Sequence, residues 1–242
     1  MNQNTIYNAA FELINKNANK FPDKTAFLDD NSSINYKELK EKITSFAYQL
    51  DTLQFKQNDK VIICMFDNIH YPIAFLGCIW AGVIPICINT MLTKKDLKYM
   101  LQDSEAKAVI CSLELAKIFA ELRNDIKKDF LIISNFKGKA LSSDITIDIN
   151  SFLSHKTIEY KPKTATQETE CFWLYSSGST GSPKGTIHLH KNLINTANLY
   201  AKNILKVNKN DIFFSAAKLF FAYGLGNALT FPLSIGGTSI LT

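Results

Sequence analysis

Apolar and polar positions along the chain follow helical spacing and strand spacing in turn. Residues 36–53 carry apolar side chains on one face and charges on the other, which predicts an amphipathic helix. Residues 60–66 (KVIICMF) form a continuous apolar run, typical of a strand covered on both faces. The pattern predicts further helices over 5–20, 70–82, 93–103 and 113–124, and strands over 25–28, 33–35, 84–88, 107–111 and 130–134. This alternation predicts an α/β fold, a doubly wound and mainly parallel sheet flanked by helices.

Residues 135–170 interrupt the alternation, because they are polar and lysine-rich and include a threonine-rich piece (KTATQETE). We interpret them as a surface loop region between two lobes. Beyond them the pattern predicts strands over 171–175, 186–189, 211–214 and 237–241 and helices over 190–206 and 223–231. Residues 1–170 are therefore predicted to form a first α/β subdomain, and residues 171–242 the start of a second. No closing helix or polar tail follows the last strand, so we expect the front part of a longer protein whose C-terminal domain is absent.

Composition narrows the class of protein. Hydrophobic residues make up 46% of the 242 residues and charged residues 20%, which is ordinary for a globular protein and excludes whole-chain disorder. The net charge of +5 is spread along the chain and does not indicate a nucleic-acid-binding surface. Five cysteines lie among apolar neighbours without a C-x-x-C pair, which favours buried free thiols over disulfides or a thiolate metal site. The N-terminal residues lack a secretory signal, so we expect a cytoplasmic protein.

Two stretches without charged residues, 68–93 and 219–242, are each long enough to span a bilayer. Gly82 and Pro85 break the first stretch into a helix-length and a strand-length piece, and Pro232 begins a similar break in the second. Short apolar helices that alternate with short apolar strands are what a buried parallel sheet requires. We therefore expect no membrane-spanning segment.

The residues with the clearest chemistry lie in the run 175–185 (YSSGSTGSPKG), which holds five serine and threonine hydroxyls, three glycines and a lysine. Glycines permit close approach of the backbone to a ligand, and successive N–H groups in such a loop can bind an anion. The run therefore predicts a polyphosphate-binding loop. A flexible linker is the alternative, but strand-like apolar residues flank the run on both sides. A Walker P-loop is disfavoured, because Pro183 and Gly185 occupy the positions of its second glycine and its Ser/Thr.

This run resembles the phosphate-binding signature of the adenylate-forming superfamily, which includes acyl-CoA synthetases, luciferases and peptide-synthetase adenylation domains. Residues 75–85 (FLGCIWAGVIP) and 89–93 (NTMLT) resemble the first subdomain of that family, and 219–227 (LFFAYGLGN) resembles its benzoate–CoA ligase branch. The resemblance implies that Gly181 and Gly185 serve loop geometry. It implies contacts with the leaving β- and γ-phosphates for Ser176, Ser177, Gly178, Ser179, Thr180 and Lys184.

The resemblance also implies a two-step reaction. A carboxylate attacks the α-phosphorus of ATP, with Mg²⁺ on the phosphates, and pyrophosphate leaves; coenzyme A then takes the acyl group. An acyl pocket is implied at Phe221, Ala222, Tyr223 and Gly224, where the small Ala222 leaves room for an aromatic ring and Tyr223 offers an aromatic wall. Phe221 stands where many relatives carry a histidine. Plain core packing of these aromatic residues is the alternative interpretation. The magnesium ligand stays unassigned.

Other residues that this family uses lie beyond the sequence, namely a ribose-binding aspartate, a hinge and a lysine of a small C-terminal domain. We therefore expect the 242-residue chain alone to be inactive. Three alternatives stay open. The first is an enzyme that activates a fatty acid or loads a carrier-protein thiol. The second is a non-catalytic nucleotide-binding module. The third is a phosphotransferase that releases ADP.

Two weaker signals complete the sequence. His188 and His190 are two residues apart, but no third ligand lies close to them, so a helix start at His190 is favoured over a zinc site. Asp67 and Asn68 follow a predicted buried strand, and we expect them to cap the next helix.

Overall fold

The described part of the chain folds around two β-sheets of seven and four strands. The computed structural model describes residues 7–135, 146–154, 159–176 and 183–242. The strands are β1 (Thr25–Leu28), β2 (Ser33–Asn35), β3 (Lys60–Cys64), β4 (Ile84–Cys87), β5 (Ala108–Cys111), β6 (Leu131–Ser134), β7 (Thr146–Asp148), β8 (Glu170–Ser176), β9 (Lys184–Leu189), β10 (Ile212–Phe214) and β11 (Thr238–Ile240). The α-helices are α1 (Ala9–Lys20), α2 (Tyr36–Thr52), α3 (His70–Trp80), α4 (Lys94–Ser104), α5 (Leu113–Ile126), α6 (Ile149–Leu153), α7 (His190–Thr196), α8 (Ala222–Leu225) and α9 (Phe231–Ile235). Two π-helical turns span Ala197–Lys202 and Gly226–Thr230.

The seven-stranded sheet has the order β7-β6-β5-β3-β4-β8-β9. Neighbouring strands are parallel except β8 and β9, which form an antiparallel pair. Alternate residues of β3 enter different cores, since Val61 and Ile63 pack in one apolar cluster and Ile62 and Cys64 in another. Helices on both faces supply these two cores, which is why the strand is apolar throughout. The predicted doubly wound α/β fold is confirmed.

The four-stranded sheet has the order β10-β11-β1-β2 and joins the two ends of the chain. Its register pairs Phe27 of β1 with Ser239 of β11, and both residues are buried on one face of the sheet. Sheet membership therefore crosses residue 170 in both directions, because β1 and β2 pair with late strands while β8 and β9 join the earlier ones. The division into subdomains at residue 170 stays a prediction.

Side-chain hydrogen bonds strengthen this join between the chain ends. Asn17 on α1 donates to the Leu233 carbonyl at 2.5 Å, and the Tyr36 hydroxyl on α2 donates to the Gly237 carbonyl at 2.6 Å. Both donors are buried, so each bond satisfies a backbone carbonyl that water does not reach. The N-terminal helices are thus held to the last helix and strand.

The expected loop region over 135–170 is wrong in part, because it contains β7 and α6. Ile149 and Phe152 of α6 are buried, and the Phe152 ring lies 4.9 Å from that of Phe46 on α2. A helix of five residues is too short to show a helical period, and its apolar partners lie about 100 positions earlier in the sequence. The polar composition around it therefore concealed it.

The last two predicted helices are interrupted. The helix expected over 190–206 is α7 followed by a π-helical turn, and the one expected over 223–231 is α8, a π-helical turn and α9. Thr196 and Thr230 donate side-chain hydrogen bonds to carbonyls four residues earlier, at 2.7 and 3.4 Å. Such bonds compete with the regular helical ladder and bend helices.

The five cysteines are free and buried, as predicted. Burial raises the pKa of the Cys64 and Cys87 thiols to about 12, so these thiols are neutral near pH 7. Within the part of the chain that the structure describes, no helix has both the length and the apolar character needed to cross a bilayer.

Candidate active site

The hairpin of β8 and β9 brackets the glycine-rich run. The antiparallel register places Ser176 opposite Lys184 at the loop end of this hairpin, and both residues are exposed. The prediction that two strands flank the run is confirmed, so its ends are fixed in a sheet. Five residues of the predicted phosphate-binding loop lie outside the described residues, namely Ser177, Gly178, Ser179, Thr180 and Gly181.

Aromatic residues anchor the hairpin. The Tyr175 hydroxyl donates to Asp103 on α4 at 2.6 Å, and burial followed by this carboxylate raises the pKa of Tyr175. Gly185 lies against Trp173, where an added Cβ would sit 2.8 Å from Cε3 of the indole ring. The ammonium of Lys60 lies 5.2 Å from the centre of the same ring. A glycine at 185 thus lets β9 approach the indole closely.

A cavity of about 360 Å³ opens at the carboxyl ends of β4 and β8. Cys87 marks the end of β4 on its wall, and Phe220 and Phe221 form an aromatic pair whose ring centres lie 4.7 Å apart. The cavity is also lined by Ser176 and Pro183, which lie within the glycine-rich run on either side of residues 177–182. Ligands of open α/β sheets bind at the carboxyl ends of strands, so this cavity is the candidate nucleotide site.

The four predicted acyl-pocket residues do not share one cavity. Phe221 lines the cavity beside Ser176, whereas Ala222 lines a second cavity of about 190 Å³. Tyr223 is 71% exposed. Gly224 is buried, and a Cβ there would lie 2.1 Å from the Lys218 carbonyl oxygen, so the backbone needs glycine for this close approach. The acyl-pocket assignment stays a prediction.

The two histidines have separate surroundings. His190 is the first residue of α7, as favoured above, and its Nδ1 accepts the Ala9 backbone N–H at 3.0 Å. Burial lowers the pKa of His190 to about 4, which keeps the ring neutral near pH 7. His188 stacks on Phe172 with ring centres 4.5 Å apart and lines the second cavity beside Ala222. His188 thus lies next to the predicted acyl-pocket segment. Neither the zinc-site nor the helix-start interpretation of the two histidines indicated this position.

With this geometry in place, the comparisons with known proteins identify the family. The model of the AMP-binding enzyme family matches residues 14–242. The chain belongs to the AMP-binding enzyme family. The resemblance predicted from the loop and from residues 219–227 is therefore confirmed.

Several members of the AMP-binding enzyme family are similar over nearly the whole chain. The benzoate–CoA ligase of Thauera aromatica is 42% identical over 239 residues, which cover 97% of this chain and 44% of that protein. The crystal structure of a benzoate CoA ligase from Burkholderia xenovorans LB400 superposes with a TM-score of 0.87 at 40% identity, over 98% of this chain and 45% of the other. That of the anthranilate CoA ligase AuaEII in complex with anthranoyl-AMP gives 0.89 at 26% identity and the same coverage. The chain thus spans less than half the length of these relatives.

In this AMP-binding chain, Asp67 does not have the role predicted from the sequence. Asp67 does not cap α3, because Asn68 accepts the His70 N–H at 2.8 Å there. The Asp67 carboxylate instead accepts the Leu219 backbone N–H, with both oxygens at 3.2 Å. The two residues are 152 positions apart, so no local pattern indicates their contact.

Proposed function

We propose that this chain supplies the phosphate-binding and acyl-binding part of an ATP-dependent acid–CoA ligase that acts on a benzoate-like aromatic acid. The observation that carries the proposal is the β8–β9 hairpin, which brings Ser176 and Pro183 to a cavity walled by Phe220 and Phe221 and pairs Lys184 with Ser176. An anion-binding loop and an aromatic wall on one cavity suit a nucleotide and an aromatic acid together. The relatives that are named as aromatic acid–CoA ligases support the same substrate class.

In the first step a carboxylate oxygen of the acid bonds to the α-phosphorus of ATP, the bond to the bridging oxygen breaks, and pyrophosphate leaves. Lys184 and Ser176 would contact the leaving phosphates and stabilise their charge, which is the main catalytic demand of phosphoryl transfer. In the second step the sulfur of coenzyme A bonds to the acyl carbon and AMP leaves with the electrons of the broken bond. The thiol proton passes to solvent or phosphate.

Magnesium enters this proposal as part of the MgATP substrate. Among the residues that the structure describes, no three His, Cys, Asp or Glu side chains cluster as metal ligands would. The described residues therefore do not fit a magnesium ion held by the protein alone. Mg²⁺ usually binds through substrate phosphates with few protein carboxylates, so we assign none of the described residues to it.

The test is the acid-dependent exchange of radioactive pyrophosphate into ATP, with benzoate and decanoate as the acids. The protein is this chain together with whatever its reading frame encodes after Thr242, and the 242-residue chain is assayed beside it. We expect exchange with benzoate by the longer protein and none by the 242-residue chain. Exchange with decanoate alone would contradict the aromatic substrate. Formation of ADP would indicate a phosphotransferase, and ATP binding without exchange by the longer protein a non-catalytic module.

Lys184→Ala is the sharpest single change for the loop assignment. Removal of one charged group that stabilises the leaving phosphates should lower the exchange rate roughly 100-fold. Lys184→Arg should retain part of the rate, because it keeps the positive charge. Lys117→Ala on α5 is the matched control, since Lys117 is also exposed but lies on a different element, far along the sheet order from the hairpin. An equal rate for Lys184→Ala and the control would contradict the role of the loop.

A further inference from the structure

A carboxylate at the end of β3 holds the backbone of the segment that carries the aromatic pair. Asp67 lies three residues after the last residue of β3, at the edge of the sheet where β4 and β8 also end. Its two oxygens are each 3.2 Å from the Leu219 nitrogen. Leu219 directly precedes Phe220 and Phe221, which form the aromatic wall of the cavity beside Ser176.

The segment after Leu219 is tightly folded. The Phe221 N–H donates to the Lys218 carbonyl at 3.0 Å, and the Leu225 N–H donates to the Phe221 carbonyl at 2.8 Å. Gly224 packs directly on the Lys218 carbonyl, where a Cβ would have no room. Leu219 itself is fully buried. The bond from Asp67 thus holds the first residue of a compact turn. The two rings that line the cavity belong to the next two residues.

The surroundings of Asp67 determine the charge that it brings to its bond with Leu219. Burial raises the pKa of Asp67 to about 6, while the Leu219 N–H and the Lys218 charge act in the opposite direction. The carboxylate is therefore ionised near pH 7, and bonds to an ionised acceptor are stronger than neutral ones. Burial, followed by Cys87 and then the Asp67 charge, raises the pKa of the Tyr71 hydroxyl on α3, so this hydroxyl is neutral beside Asp67.

We propose that Asp67 is a positioning residue that holds the Leu219–Phe221 segment against the strand ends and thereby sets the aromatic wall of the cavity. Its consequence for substrate binding rests on the proposed function. The bond itself does not, so a measurement without activity can test it. A purely structural role would stabilise the chain without changing one substrate more than the other.

The first experiment measures trypsin cleavage of the folded 242-residue chain after Lys218, because the cleaved bond joins Lys218 to Leu219. In Asp67→Ala we expect this cleavage to be about tenfold faster, which corresponds to about 1.4 kcal/mol of lost local stability. Asp59→Ala is the matched control, since Asp59 precedes the other end of β3 and also accepts a backbone N–H, from Lys56 at 2.8 Å. Faster cleavage in Asp67→Ala than in the control supports the proposal, and equal rates would overturn it.

Asp67→Asn keeps the test decisive if Asp67→Ala fails to fold. The amide oxygen still accepts the N–H but carries no charge, so we expect cleavage after Lys218 to be about threefold faster than in wild type. Asp59→Asn serves as its control. If trypsin cleaves Asp67→Asn after Lys218 at the same rate as this control, the proposal is overturned.

The second experiment uses pyrophosphate exchange by the longer protein described above. Asp67→Ala should raise the apparent KM for benzoate about tenfold and change the KM for ATP less than about twofold. Equal changes in both constants would overturn the positioning role. If the wild-type protein shows no exchange with any acid, the proposed function fails, whereas the cleavage experiment still decides whether Asp67 holds the segment.

Discussion

A central strand of the seven-stranded sheet, β3, and an edge strand of the four-stranded sheet, β10, differ in how many of their faces the described residues cover. In the seven-stranded sheet, the residues Val61, Ile62 and Ile63 of β3 are all fully buried, because helices pack on both faces. In β10, the edge strand of the four-stranded sheet, Phe213 packs on an apolar cluster, whereas Ile212 and Phe214 on the other face are 68% and 61% exposed. The neighbours of each strand thus decide which of its apolar side chains stabilise the fold and which remain exposed.

The candidate site lies where these two regions meet. Its cavity opens at strand ends of the seven-stranded sheet, but its aromatic wall comes from the segment that leads toward β11 of the four-stranded sheet. The seven-stranded sheet thus holds the β8–β9 hairpin, and the segment that leads toward β11 holds the aromatic pair of Phe220 and Phe221. Precise sites are built on well-packed elements. A tether such as the one from Asp67 to Leu219 is what couples the second region to the first.

The largest effect is expected from a core substitution in the seven-stranded region. Phe75 on α3 is fully buried, and its ring meets that of Phe172 on β8 edge to face at 5.5 Å. Phe75→Ala leaves a cavity as large as most of the ring, so the free energy of unfolding should fall by about 4 kcal/mol. Urea denaturation of the 242-residue chain measures it. A loss below about 1 kcal/mol would mean that this region is not the better packed of the two.

The next effect concerns the link between the regions and depends on pH. His190 follows the seven-stranded sheet, and its acceptor bond from Ala9 holds α1, which also contacts Leu233 near the four-stranded sheet. The pKa of His190 is about 4 in the folded chain and about 6.5 in the unfolded chain. Between these values the unfolded chain binds a proton that the folded chain does not, so stability falls as the pH falls from 6.5 toward 4.

Urea unfolding at pH 7 and pH 4.5 tests this link. Protonation of His190 in the unfolded chain should lower the free energy of unfolding by about 2 to 3 kcal/mol at pH 4.5. His190→Gln keeps an acceptor for the Ala9 N–H without the proton, so its loss between the two pH values should be smaller by that amount. His188→Gln is the control, because His188 is only partly buried and its pKa is lowered without an acceptor bond to α1. Equal pH dependence in wild type and His190→Gln would exclude His190 as the cause.

The comparison of the regions also explains what the sequence could predict. The strands of the seven-stranded sheet are short apolar runs between turn residues, and the hairpin is two such runs around a distinctive loop, so local patterns indicate both. The pairing of Phe27 with Ser239 and the bond from Asp67 to Leu219 join distant positions, and no local pattern contains them. The interruption of the last helices coincides with side-chain bonds from Thr196 and Thr230 to the helix backbone, and helical spacing alone does not reveal it.

The smallest effect on stability is expected on the open face of β10. Phe214→Ala removes a ring that is already 61% exposed, so the free energy of unfolding should change by less than about 0.5 kcal/mol. Phe213→Ala is the matched control, because Phe213 packs on the other face against the cluster of Ala197, Ala201 and Phe231 and should cost about 1 to 3 kcal/mol. Exposed apolar patches promote contacts between molecules. Phe214→Ala should therefore lower self-association in sedimentation velocity while leaving stability nearly unchanged, and a stability loss equal to that of Phe213→Ala would show that this face is covered after all.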